Sequence, residues 1–269
     1  MSFTLGPRAA SKGYRLVAFE QTGSTNAEAL ARARGGERGP VWFVTAEQTA
    51  GRGRRNRPWI APRGNLASSV LEVMDIAPAK AATLGFVAGL ALEAALRTIA
   101  SETELATPGS ENPGFALKWP NDVMAGGRKL AGILLEAEAI DSRLAVVVGI
   151  GTNVVAAPTG TPLPAVSLKA LGIETSAEAL FAALSDGWTE FRSIWGDGSG
   201  FGEIRRLWLL RAAGLGEKVA IKSGGAVIEG TFETIDEQGC MMVRTPAGKL
   251  VPITAGEVHF GAAASMGAQ

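Results

Sequence analysis

Among 269 residues the chain has one cysteine, Cys240, and one histidine, His259. A single thiol excludes an intramolecular disulfide, and so sparse a set leaves few ways to build a Cys/His metal site, so no metal ligands are assigned. Net charge is also missing, because 26 basic and 26 acidic side chains cancel. That removes a global field for recruiting nucleic acid or an acidic membrane surface, and charge-dependent recognition must be local. The N-terminal MSFTLGPRAASKGYR lacks the uninterrupted apolar core of a secretory signal. With the lone cysteine, this predicts a cytoplasmic protein. The apolar stretch at residues 81–100 loses its clean run after Leu92, since Glu93 and Arg97 follow at i,i+4, where they are expected to pair on an exposed helix face. A spanning helix needs roughly 20 predominantly apolar residues, so a buried helix and no membrane partner are expected.

The apolar content, 46%, is ample for one large domain and one small one. Apolar, β-branched or aromatic runs at 14–19, 41–45, 66–73, 115–119, 132–138 and 144–150 predict strands, and helical patterns cover 26–34, 79–100, 177–195 and 201–213. The two types mix without regular alternation, which predicts an α+β fold. Residues 101–114 and 156–164 read as surface loops. Beyond residue 213 come short segments at 218–222, 226–235, 241–245, 249–253 and 258–260, separated by turn signals such as Ser223-Gly224-Gly225 and Pro246-Ala247-Gly248. That punctuation predicts a small β-barrel. The expected division is a first domain over 1–213, a barrel over 214–262 and a disordered tail over 263–269.

The sharpest local feature is GRGRRNRPW, Gly51 to Trp59, with four arginines, two glycines and Asn56. Glycine lets backbone fold close around a ligand, and guanidinium groups present planar donors to carboxylate and phosphate oxygens. Such a loop suits an anion, although a solvated basic loop or a nonspecific RNA contact has the same composition. KWPND, Lys118 to Asp122, ends a strand in a proline-fixed turn from which Lys118 and Asn121 can reach a ligand, or it is a plain strand-to-turn junction. KLAGILLE starts at Lys129, with Gly132 permitting close backbone approach. VVVGIGTNV, Val146 to Val154, carries half of a dinucleotide fingerprint, yet Pro158, Pro162 and Pro164 follow where that fingerprint needs a helix. No GxxxxGK[ST] phosphate loop occurs. In GSTN, Thr25 and Glu28 match a helix capping box, which alone would account for Thr25.

Taken in order, STN, EQTAGRGRRNRPW, KWPND, KLAGILLE and GIGTNV, followed by a small β-barrel, resemble the biotin protein ligase family over roughly residues 14–261. The resemblance implies a mixed-sheet catalytic domain of the biotin/lipoate ligase, class II synthetase-like type with a C-terminal SH3-like β-barrel. It implies activation of biotin with ATP and Mg²⁺ to biotinyl-AMP, then transfer to a lysine of a biotin carboxyl carrier protein or domain. It assigns Ser24, Thr25, Asn26, Gln48, Gly51, Arg52, Gly53, Arg54, Lys129 and Gly132 to biotin. It assigns Arg54, Arg55, Arg57, Trp59, Lys118, Asn121 and Asn153 to the nucleotide, with Arg52, Arg54, Lys118 and Lys129 acting in catalysis and Asp122 ordering the loop. Two departures stand out. The family loop ends GRGRRGR where this chain has Asn56, a residue tolerant of positive φ. Too few residues precede Tyr14 for the winged helix-turn-helix of family repressors, so no DNA partner is expected, whereas a homodimer is compatible with the family. The alternatives are a ligase for lipoate or another acyl acid, and a nucleic-acid-binding module built on the arginine loop.

Overall fold

The structure is a computed structural model that describes residues 2–102, 114–161, 163–223 and 226–260. Most of the expected loop at 101–114, and the whole of the expected tail at 263–269, lie outside the described residues.

The first part of the chain runs α1 (Pro7–Ser11), β1 (Arg15–Phe19), α2 (Thr25–Arg34), β2 (Val41–Thr45), β3 (Leu66–Met74), α3 (Pro78–Ala82), α4 (Leu84–Glu102), β4 (Phe115–Lys118), β5 (Asp122–Ala125), β6 (Arg128–Ile140), β7 (Arg143–Thr152), α5 (Ala177–Trp195) and α6 (Phe201–Leu209). Seven strands form one sheet in the order β1-β2-β3-β7-β6-β5-β4, parallel at β1/β2 and antiparallel elsewhere, so it is mixed. Helix α2 lies on one face, where Ala29 and Ala33 pack on Phe43, Leu71, Val73, Ala145 and Val147. Its small residues allow close approach to the strands. The other face carries α4 and α5, with Leu180, Leu184, Trp188, Phe191 and Trp195 recurring at helical spacing into the core. Both faces of β3 are thereby covered, which is why its nine residues are almost all buried.

Several expectations change in detail. The helix expected over 79–100 is two, because Thr83 turns its hydroxyl onto the Lys80 carbonyl (2.7 Å) and accepts from Trp195 Nε1 (2.7 Å), ending α3 there. Residues 78–102 are apolar enough by length and composition to cross a membrane, but 72% of their apolar 18-residue window is buried inside the fold. Glu93 is not on an exposed face: it is 0% exposed, pairing with Arg97 and with Arg211, 2.9 Å away. Strand β5 has no signature in the sequence, because four residues starting at an aspartate give too short a pattern.

Helix α6 stops at Leu209, short of 213, because the next residues pair with β4: Leu117 N donates to Arg211 O and Ala213 N to Leu117 O, both 2.8 Å. The chain then forms β8 (Lys218–Ser223), β9 (Ala226–Ile235), β10 (Met241–Arg244), β11 (Leu250–Ile253) and β12 (Glu257–Phe260), antiparallel in the order β11-β10-β9-β8-β12. This is a sheet of the SH3-like type; among the described residues its two edges do not pair with each other. Its inner side chains, among them Phe232, Ile235, Met241 and Val258, are continuous with the main core, and Trp119 Nε1 donates to Gly239 O (3.1 Å) across the junction.

Candidate functional site

A cavity of about 320 Å³ opens where the N-terminus of α2, the arginine loop, the β4–β5 turn, β6, β7 and β12 meet. At its polar end, Ser24 caps α2, its Oγ accepting from Ala27 N at 3.4 Å. The cap is therefore Ser24 and not Thr25, the capping box expected at Thr25 and Glu28 does not form because Ala27 stands at the third helical position, and tertiary contacts explain why. Thr25 N donates to Gln48 Oε1 (2.9 Å), and Thr25 Oγ1 lies 2.7 Å from Ser69 Oγ. Asn26, 5% exposed, is held through Nδ2 by Glu136 Oε2 (2.8 Å) and Leu134 O (3.2 Å), and through Oδ1 by Ser69 (2.6 Å). Gly149 leaves room for it, since a Cβ there would sit 2.2 Å from Asn26 Oδ1.

The arginine loop folds back on itself. Trp59 N donates to Gly51 O (2.8 Å) and Gly53 N to Arg57 O (2.7 Å), while Arg55 and Asn56 adopt φ of 55° and 58°. Asn56 thus occupies the left-handed conformation that its substitution for glycine called for. Gly51 does not line the cavity; a Cβ there would lie 2.4 Å from both Gln48 Nε2 and Trp59 O, so its bareness closes the loop base. Trp59 lies across the sheet, where a Cβ on Gly151 would be 2.4 Å from its Nε1 and one on Gly132 would be 3.2 Å from its Cζ3. The GIGTN glycines therefore clear space for Asn26 and Trp59, and β7 ends at Thr152 without the helix a dinucleotide site requires.

At the opposite end, Arg54 Nη1 donates to Asn121 Oδ1 (3.1 Å), whose Nδ2 donates to Ile133 O (2.9 Å). Lys129 pairs with Asp122 at 2.6 Å and stands 5.6 Å from the Trp59 ring centre. Lys118, 9% exposed, faces the Phe260 ring at 5.5 Å. Burial pushes the Lys118 ammonium below the usual lysine value, Asp122 opposing and Lys129 adding to the shift. Burial also lowers Arg54, with Arg55 adding to it. The loop's direct partner here is Asn121; Asp122 engages Lys129 instead.

Of the residues picked from the sequence, Ser24, Thr25, Asn26, Gln48, Arg52, Gly53, Arg54, Arg55, Arg57, Trp59, Lys118, Asn121, Asp122, Lys129 and Gly132 all line this cavity. Gly51 and Asn153 do not. Asn153 is 1% exposed, with Nδ2 on Val166 O (3.2 Å). Sequence reasoning missed Glu257 and His259, which line the cavity from β12, Glu257 pairing with Arg55 (3.2 Å) and with Arg57. Nothing local marks them in AGEVHF, whose pattern is that of any short strand. Six cationic side chains and two carboxylates, Asp122 and Glu257, line the cavity. It therefore offers a strongly positive end for a polyanion and a neutral hydrogen-bonding end for a polar ring. Among the described residues no group of three or more His, Cys, Asp and Glu is placed to hold a metal ion.

Comparison with known proteins matches residues 19–153 to the biotin/lipoate A/B protein ligase family and residues 214–261 to the biotin protein ligase C-terminal domain. The biotin–[acetyl-CoA-carboxylase] ligase of Paracoccus denitrificans is 40% identical over 248 residues, which cover 90% of this chain and 98% of that protein. Its Mycobacterium tuberculosis counterpart is 35% identical over 255 residues, covering 93% and 90%. A biotin protein ligase from Aquifex aeolicus, solved in complex with biotin and ATP, superposes with a TM-score of 0.71 at 25% identity, covering 92% of this chain and 98% of that one.

Proposed function

Because the chain belongs to the biotin/lipoate A/B protein ligase family, we propose that it is a biotin protein ligase acting in the cytoplasm. It joins biotin to ATP as biotinyl-5'-AMP, releases pyrophosphate, and passes the biotin to a lysine of a carboxylase's biotin carrier protein or domain. The observation that carries this reading is one cavity with two unlike ends, neutral donors and acceptors at Ser24, Thr25 and Gln48 and clustered cations at the other.

In this reading the ring of biotin occupies the neutral end and its carboxylate reaches toward Lys129. Bringing a carboxylate to an α-phosphate sets two anions together, and a site that excludes water cannot screen them. Arg52, Arg54, Lys118 and Lys129 neutralise that approach and the charge that develops on the phosphoryl oxygens. Arg55, Arg57, Trp59 and Asn121 contact the nucleotide, and the arginine loop covers an anhydride that water would hydrolyse. Asp122 organises the loop indirectly, through Lys129, and Asn153 supports the site from behind the nucleotide. Transfer then needs only the acceptor's neutral amine held against the acyl carbon, so no protein nucleophile is required.

Both cavity carboxylates are already ion-paired, which does not make a resident divalent site. Mg²⁺ fits here as an ion carried on the triphosphate, where it would neutralise phosphate charge.

The test is pyrophosphate exchange into ATP with biotin or lipoate as the acid, followed by transfer of labelled biotin to a carrier domain. Biotin-dependent exchange and a labelled carrier are expected. Exchange driven by lipoate alone would move the chain to the other branch of the family. No exchange with either acid, but RNA binding that falls steeply with salt, would favour the nucleic-acid reading.

A further inference from the structure

Period-two alternation along β6 puts Gly132, Leu134 and Glu136 on one face of the sheet. The first two line the cavity, and Glu136 stands beyond them against α2, its side chain 26% exposed. A carboxylate only accepts hydrogen bonds. This one accepts from Asn26 Nδ2 at 2.8 Å on one oxygen and from Arg52 Nη2 at 3.3 Å on the other. With Nδ2 committed there and to Leu134 O, the Asn26 amide cannot flip, and its Oδ1 faces Ser69 at 2.6 Å.

Ser69 is 0% exposed and has one hydroxyl hydrogen to share between Asn26 Oδ1 and Thr25 Oγ1, 2.7 Å away. Asn26 Oδ1 can only accept, so that hydrogen goes to Asn26, and Thr25 spends its own hydrogen on Ser69 Oγ (2.7 Å) or on Gln48 Oε1 (3.3 Å). Thr25 Oγ1 is then left with lone pairs alone. Gln48 Oε1 is fixed by the Thr25 backbone N–H (2.9 Å), which leaves the Nε2 donor as the free end of that amide. The cavity's polar end is thereby an acceptor beside a donor.

We propose that Glu136 is a positioning residue that sets this polarity and, through Asn26, Ser69 and Thr25, makes the cavity selective for a cyclic urea. A urea places an N–H beside a C=O and complements the pair. A cyclic guanidinium offers donors only, and a dithiolane offers neither. The inference rests on the biotin reading above, because the urea is that of biotin.

The test is calorimetric titration of the full chain with biotin and with 2-iminobiotin, whose ring is a guanidinium. Wild type is expected to prefer biotin by about a hundredfold or more, as a site built around specific hydrogen bonds does. Glu136→Gln keeps the shape but introduces a donor, and Ser69→Ala breaks the relay without touching Arg52. Each is expected to cut the preference roughly tenfold, while Glu136→Asp, still an acceptor only, retains most of it. Thermal melts confirm folding, and if Glu136→Gln does not fold, Ser69→Ala carries the test. A preference within about twofold of wild type in the folded variants overturns the relay while leaving the biotin reading intact. A wild type that binds no biotin overturns both.

Discussion

Glu93 and Arg211 meet at 2.9 Å, joining the middle of the core helix α4 to the segment that leads into the C-terminal sheet. The carboxylate has no exposure to water, and Arg97 is its second partner. Removing one partner of a buried pair leaves an under-compensated charge in the core. Arg211→Met is therefore expected to lower stability by about 3 kcal/mol, measured as a shift of the urea midpoint at constant slope. A midpoint that does not move would mean that Arg97 alone satisfies the carboxylate.

Gly151 allows Trp59 to lie against β7. The methyl of Gly151→Ala would meet the indole nitrogen at 2.4 Å, so the ring must leave its seat. The expected result is a loss of biotin-dependent pyrophosphate exchange of at least about tenfold with the fold retained, together with a shift in tryptophan emission. Exchange at the wild-type rate would show that the ring's position is immaterial to adenylation.

The Asn56 backbone already has the φ of 58° that glycine adopts freely. Asn56→Gly should accordingly leave turnover within about twofold of wild type, whereas Asn56→Val, β-branched in a left-handed position, should strain the loop by about 1–2 kcal/mol and raise the KM for ATP. A severe loss in the glycine variant would reveal a contact made by the asparagine side chain.

Burial holds the Lys118 ammonium below the ordinary value of 10.5. Protonation therefore favours the unfolded chain over that interval, and folding gains stability as pH rises from the folded-state value toward 10.5. In the proposed reaction activity runs the other way, since a neutral Lys118 could not screen phosphate. The profile of kcat/KM for ATP should fall on its alkaline side before a free lysine would titrate, and Lys118→Arg should move that limb upward. A limb unchanged by the arginine would assign the titration to another group.

Cys240 follows a turn in the C-terminal sheet, does not line the cavity, and has its thiol pushed up by burial and by Asp236. Cys240→Ser should retain full biotin transfer to a carrier domain. A folded but inactive serine variant would contradict transfer without a protein nucleophile.

Much of this arrangement is legible in the chain. Runs such as VWFVT and VVVGIGT read as buried strands, and the arginine-glycine loop suits an anion, although its composition alone fits a solvated loop as well. Other features depend on partners distant in sequence. Ser24 and Thr25 are both competent helix caps, and the choice falls on Ser24 only because Gln48 and Ser69 take up Thr25. Glu93 reads as a surface residue until Arg211, 118 positions away, arrives beside it. The place of β12 at the cavity follows from docking the C-terminal sheet, which no local pattern encodes.

Glu257 holds Arg55 and Arg57 on a single carboxylate. The C-terminal sheet thus acts as a counterweight: its one carboxylate quenches two positive charges of the arginine loop, and in the proposed reaction a polyphosphate would have to displace it from both. Severed from that sheet, the loop would meet any passing polyanion with the Arg55 and Arg57 guanidinium groups bare, Arg52 and Arg54 alone keeping partners at Glu136 and Asn121, and chemical selectivity would give way to stickiness.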